Sequence, residues 1–201
     1  MNLAPRPTLV SVIFGLCLAL GISACTSDTD PPDTPGESSA APQATDDGAA
    51  FEIETRTTLS RVVGRLPKKD RQRLPDKITA VMQRWFNAAY VGGDYPRSDF
   101  SDAYPGFTPG ARDRARRDRV LMTNKGIGSR IDDVIPTHSR IWVDVLAVGR
   151  RPAAVTARFL LKFRTEGDLT RRIRVKGRLL LTRQESGWRI FGYDVARGGR
   201  A

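Results

Sequence analysis

Apolar and polar residues alternate along much of the C-terminal third of the chain. Val155, Ala157, Phe159, Leu161 and Phe163 interleave with Thr156, Arg158, Leu160, Lys162 and Arg164. The next run sets Ile173, Val175, Leu179 and Leu181 on one side and Arg172, Arg174, Lys176 and Arg178 on the other. Alternation with a period of two, rich in β-branched and aromatic residues, predicts strands with one face in a core and one in water. Two more strands are predicted, over 141–148 and 188–195. Gly149-Arg150-Arg151-Pro152, Thr165-Glu166-Gly167-Asp168 and Gln184-Glu185-Ser186-Gly187 supply the turns. Short turns between successive strands predict an antiparallel meander.

Upstream the period becomes helical. Ile78, Val81, Met82, Trp85, Phe86 and Ala89 form an apolar stripe, predicting a helix that opens at Asp76 and stops at Gly92-Gly93. Thr108-Pro109 predicts a second helix start, leading Ala111, Ala115, Leu121 and Met122 towards a stop at Asn124-Lys125-Gly126. Leu59, Val62, Val63 and Leu66 predict a short first helix, capped by Thr58 and stopped by Pro67, with 68–73 as a charged connector or a frayed extension. Aromatics in the loop 94–107 either seal the open end of a core or line a pocket. The expected fold is α+β: N-terminal helices packed on a curved antiparallel meander of four to five strands, a cone or roll.

The first fifty residues do not read as globular. Residues 1–25 hold one charge, Arg6, and an apolar run from Leu9 to Ile22, short for a membrane span. The run ends in Ile22-Ser23-Ala24-Cys25, which resembles the bacterial lipobox. That resemblance implies that Cys25 is acylated and becomes the first residue of the mature protein. Residues 26–50 are Pro, Ser, Thr, Asp, Ala and Gly, with Glu37 and Gln43, and hold no aromatic or branched aliphatic residue; they are expected to form a disordered acidic tether. A single domain is expected over 51–201, anchored by lipid at the outer face of the cell membrane.

Charge sharpens this picture. The 33 Lys and Arg exceed the 22 Asp and Glu, for a formal net charge of +11. The acidic tether makes the remainder more basic still. Six cations, Arg158, Lys162, Arg172, Arg174, Lys176 and Arg178, fall on the polar side of the two middle strands, a candidate face for an anionic partner. The bland alternative is a solvated surface shaped by an arginine-rich composition. Nucleic acid is not expected, because aromatics do not interleave with these cations as stacking platforms. Cys17 and Cys25 are the only cysteines, so the domain has no disulfide, thiol nucleophile or thiolate metal site. No metal or cofactor is expected. His138 is the only histidine and is read as a surface residue just before a strand.

Helices followed by a long meander ending in Gly187-Trp188-Arg189-Ile190-Phe191-Gly192-Tyr193 resemble the cone-shaped fold of the nuclear-transport-factor-two-like superfamily. The chain is similar to the actinobacterial proteins associated with mammalian-cell-entry transport systems, which carry such a domain outside the membrane. Residues 76–91, Phe107-Thr108-Pro109 and 188–195 carry the resemblance, which spans 58–197. That group usually has a transmembrane helix where this chain has a lipobox.

Enzymes of that superfamily place Asp, Tyr or His inside the cone. The corresponding candidates here are Tyr90, Asp94, Asp99, Asp102, Tyr104, His138 and Asp144, with no residue-by-residue match to a catalytic set. Asp144 shares one strand face with Trp142, Leu146 and Val148, or faces solvent with Arg140, since Ile141, Val143 and Val145 make the opposite face apolar too. A candidate pocket for a hydrophobic ligand comprises Trp85, Phe86, Tyr90, Tyr95, Tyr104, Phe107 and Asp144. Three functions follow. The leading one is a non-catalytic envelope module that binds a protein partner or an anionic surface. The others are a hydrophobic-ligand carrier or sensor, and an isomerase-like or dehydratase-like enzyme. Like charges on the sheet face point to a monomer.

Overall fold

The computed structural model describes residues 54–200. The expected export segment 1–25 with Cys25 and the expected tether 26–50 lie outside the described residues. The architecture is α+β, a five-stranded, mostly antiparallel open sheet with a few helices. The strands are β1 (Thr55–Val63), β2 (Asp133–Val148), β3 (Arg151–Glu166), β4 (Arg171–Gln184) and β5 (Gly187–Arg200), in the spatial order β1-β2-β3-β4-β5. The four strands β2 to β5 pair antiparallel with their neighbours, as the short turns require. Strand β1 pairs with β2 in parallel, after a crossover that holds all the helices among the described residues.

The first described element is therefore a strand and not the predicted helix over 58–66. Thr55, Thr57 and Leu59 are half-buried and alternate with exposed Arg56, Thr58 and Ser60. A register shift between Leu59 and Arg61 then brings the half-buried position to Val62. The bulge spaces Leu59 and Val62 by three, which imitates the helical period. The strand ends at Gly64, where a Cβ would meet the Ala147 carbonyl oxygen at 2.3 Å and φ is +89°.

Helix α1 spans Lys68–Phe86, so 68–73, expected as a connector or a frayed extension, is the regular start of this helix. Burial of Leu74 extends the apolar stripe one turn before Ile78, and Pro67 at the N-cap accepts the first amides. Pro75 sits inside the helix without ending it. A wider π-helical turn, Asn87–Val91, carries the stripe on to Ala89 and Tyr90 and stops at Gly92. Thr108 and Pro109 open α2 (Pro109–Arg117) at the predicted place. The short α3 (Arg119–Met122) follows, ending just before the predicted stop.

The inner sheet face and the helices close on one core. Ile141, Val143 and Val145 of β2, Phe159, Leu161 and Phe163 of β3, and Val175, Leu179 and Leu181 of β4 are buried. They pack with Ile78, Met82, Trp85 and Phe86 of α1. Each such side chain contributes roughly 1.5–3 kcal/mol when fully buried. The outer face of β3 and β4 keeps the cations in water. The outer edge of β5 is partly covered, because Thr108 donates its amide to the Ile190 carbonyl at 2.8 Å and Ile190 donates to the Gly106 carbonyl at 2.9 Å.

Candidate functional site

Of the candidate pocket aromatics, Trp85, Phe86, Tyr90 and Phe107 are packed into the core. Trp85 and Phe86 are fully buried, and the Trp85 ring centroid lies 5.5 Å from Tyr90, 5.9 Å from Phe107 and 5.5 Å from Phe159. These separations are those of edge-to-face packing and leave the rings in contact with each other. Tyr90 donates its hydroxyl to the Leu121 carbonyl at 2.8 Å, and Tyr95 donates to the Tyr90 carbonyl at 2.9 Å. Burial raises the pKa of both phenols above the usual value. Both hydroxyls are committed to holding backbone.

Asp144 does not join that group. Ile141, Val143 and Val145 take the inner face, so Asp144 lies on the outer face, in an ion pair with Arg158 at 3.3 Å. The sheet separates it from Trp85 and Tyr90. Asp94 is exposed, and Asp99 accepts the Ser101 amide at 2.9 Å and its hydroxyl at 3.1 Å. The Ser101 amide bond is the main reason that the Asp99 carboxyl titrates below its ordinary value. His138 is exposed but lies within β2, opposite Lys162, and not before the strand. Among the described residues, no group of three or more His, Cys, Asp or Glu side chains is placed to hold a metal ion.

The six predicted cations are brought together. Register sets Arg158 opposite Arg178 and Lys162 opposite Arg174, with Arg164 opposite Arg172 and Lys176 opposite Leu160. All the charged members are exposed. Like charges directly opposite on adjacent strands destabilise a sheet. Three carboxylates offset part of this: Asp144 on Arg158, Asp194 on Arg178 at 3.2 Å, and Glu166 on Arg164 at 2.7 Å. Lys162, Arg172, Arg174 and Lys176 have no ion-pair partner among the described residues. Shallow clefts on this end of the sheet are lined by Arg164, Arg172 and Arg174.

A second cationic feature was not visible in the sequence. A cleft of 740 Å³ opens between α1, the loop 101–106, α2 and the β4–β5 turn. Lys77 and Arg84 enter it from α1, Arg112 and Arg116 from α2, and Arg183 and Arg189 from the hairpin. Lys77, Ala80, Val81 and Arg84 follow the i, i+3, i+4, i+7 spacing, and Arg112 and Arg116 are one turn apart. These spacings were the available signal, but only the docking of the helices shows that their cationic edges face each other. Tyr104 is the one member of the expected pocket that lines this cleft.

No protein-family model matches the chain, and no curated protein or solved structure does.

Proposed function

We propose that the domain is a non-catalytic binding module that docks its outer sheet face on an extended anionic surface. What supports this reading is the register of β3 and β4, which stacks cations against cations and leaves Lys162, Arg172, Arg174 and Lys176 without counter-ions. A partner that brings negative charge relieves a repulsion already built into the sheet. The partner is an acidic protein face or an anionic polymer or lipid layer of a cell envelope. The same reading holds that Cys25 is acylated and tethers the chain to the outer face of the membrane, and that the sheet curls as in the cone-shaped superfamily. The motive for both is the sequence pattern.

The test is retention of the full chain on an anionic polymer resin across a salt gradient. The variant Arg172→Glu/Arg174→Glu/Arg178→Glu is compared with Arg65→Glu/Arg150→Glu/Arg151→Glu, which has the same net charge. The first is expected to elute at distinctly lower salt than the second. Equal elution of the two would mean that only total charge matters and would sink the face as a docking site. The anchor is tested separately: Cys25→Ser is expected to accumulate as unprocessed precursor or to leave the membrane fraction.

A further inference from the structure

We infer that the cleft between α1, α2 and the β4–β5 turn is a binding site for a compact phosphate ester, distinct from the outer sheet face. The two sites share no residue, and the cleft lies on the helical side of the sheet.

Charge is the first observation. Lys77, Arg84, Arg112, Arg116, Arg183 and Arg189 surround one concavity, and Asp102 is the only carboxylate among its lining residues. Of the six, only Arg116 has an ion-pair partner among the described residues, Asp113 at 3.8 Å, with both side chains mostly exposed. Arg189 reaches no more than the Ser186 hydroxyl, at 3.2 Å. A concavity lined by one sign of charge focuses the field and concentrates counter-ions.

Unused donors are the second observation, and they are independent of the charge count. Tyr104 is 4% exposed, yet its hydroxyl has no hydrogen-bond partner, and the buried Nε of Arg112 has none either. Both residues line the cleft. A buried donor without a partner is costly, because it has lost its hydrogen bond to water and gained none in exchange. Two such donors on residues that line one cationic cleft point to acceptor oxygens as the missing partners. Burial raises the Tyr104 pKa, although Arg116 and Arg119 act to lower it, so the hydroxyl remains a donor. The position is also preset. The Tyr104 ring stands edge-on to Phe107 at 5.9 Å, and the Gly106 carbonyl is held by the Ile190 amide at 2.9 Å.

Ligand chemistry follows from the donors and the size. Guanidinium forks and a phenol hydroxyl suit the several oxygens of a phosphate, and so many cations suit more charge than one carboxylate carries. The 740 Å³ volume exceeds what a bare phosphate fills and falls in the range of small-ligand pockets, about 300–1,000 Å³. Val81, Pro105 and Trp188 give the cleft an apolar wall for the glycerol or sugar portion of an ester. Such a phosphate is carried either by a soluble ester or by a phospholipid headgroup.

The experiment is calorimetric titration of the full chain with inorganic phosphate and glycerol 3-phosphate, followed by competition with vesicles of phosphatidylglycerol or phosphatidylcholine. Glycerol 3-phosphate is expected to bind saturably and more tightly than inorganic phosphate. Tyr104→Phe, which removes only the hydroxyl, is expected to weaken it about tenfold with no loss of thermal stability, and Arg112→Gln to weaken it as well. Competition by phosphatidylglycerol alone identifies a headgroup site, and absence of competition identifies a soluble ester; either supports the cleft. No binding of either phosphate probe, or binding unchanged in both variants, overturns it. Arg172→Glu/Arg174→Glu/Arg178→Glu is expected to bind the ester as the wild type does, which separates this site from the outer face.

Discussion

Arg197 of β5 donates from Nη2 to Oδ1 of Asn124 at 2.9 Å, and from Nη1 to the Thr123 carbonyl at 2.6 Å. Asn124 in turn donates through Nδ2 to the Tyr90 carbonyl at 2.7 Å and to the Tyr95 hydroxyl at 3.0 Å. The guanidinium carbon lies 5.8 Å from the centroid of the Tyr90 ring. One side chain thus ties the last strand to the end of the helical crossover. Arg197 has no carboxylate partner among the described residues, and burial lowers its pKa from the usual arginine value. Carbonyls and an aromatic face do the work of a counter-ion.

Arg197→Met is therefore expected to be a stability lesion. It leaves the Thr123 carbonyl and Asn124 Oδ1 without their donor, at a cost of about 2–4 kcal/mol. Thermal unfolding should shift down by roughly 2–4 °C for each kcal/mol lost. Arg197→Lys should recover only part of that, because an ammonium cannot span both acceptors as a planar fork does. A melting temperature unchanged in Arg197→Met would show that the clasp is idle.

The tyrosines predict how the protein responds to alkali. Tyr90, Tyr95, Tyr104 and Tyr193 all hold their protons above the ordinary phenol value of 10.0, in each case first because of burial. Tyr193 also donates to the Asp118 carboxylate at 2.6 Å. A folded pKa raised above the unfolded one gives stability that is complete below the unfolded value and is lost as pH rises through the folded value. Tyrosinate absorbance should stay flat through pH 10 and then rise in the same step as the loss of circular dichroism. Ionisation near the ordinary value in protein that is still folded would contradict the packing of these rings.

Gly177 of β4 is required by close approach. A Cβ there would meet the Asp194 carbonyl oxygen at 2.1 Å and Val195 Cα at 2.9 Å. Both obstacles are backbone of the neighbouring strand, which cannot rotate away. Gly177→Ala should cost about 1–3 kcal/mol, the usual range for forced overpacking. Gly110→Ala, where nothing lies within 4 Å, serves as the control in the same denaturant titration.

Removing a cation from the outer face should have the opposite sign. Arg174 stands opposite Lys162 and makes no ion pair among the described residues. Arg174→Thr replaces a like-charge pair with a good strand former, for a gain of about 0.2–1 kcal/mol at low salt. The gain should fade as salt is added. If the face is a docking surface, the same variant elutes earlier from an anionic resin, so stability rises as binding falls.

Strands and the α1 stripe were legible because their periods act directly on burial: Phe159, Leu161 and Ile78, Trp85 sit inside as the pattern requires. Strand β1 was hidden by its bulge, which gave Leu59 and Val62 a helical spacing. The sequence left sealing and pocket-lining open for the aromatics, because aromatic identity says nothing about whether rings stand apart or pack together; Trp85, Tyr90 and Phe107 pack together. The outer cationic face could be read one strand at a time. The cleft could not, since Lys77, Arg112 and Arg189 come from three distant segments and only tertiary docking assembles them.

The parallel seating of β1 sets an order of assembly. Strands β2 to β5 are joined by short turns, so each pairing closes a small loop. Thr55 and Ser139, by contrast, meet across 84 positions of sequence, and the whole helical crossover must be gathered before β1 finds its place. Closing so long a loop is paid for before its contacts give anything back. The meander is thus a unit that forms early, and β1 is the strand that arrives last and departs first. Amides of β1 should exchange with solvent ahead of those in β3, with the sheet opening from that side.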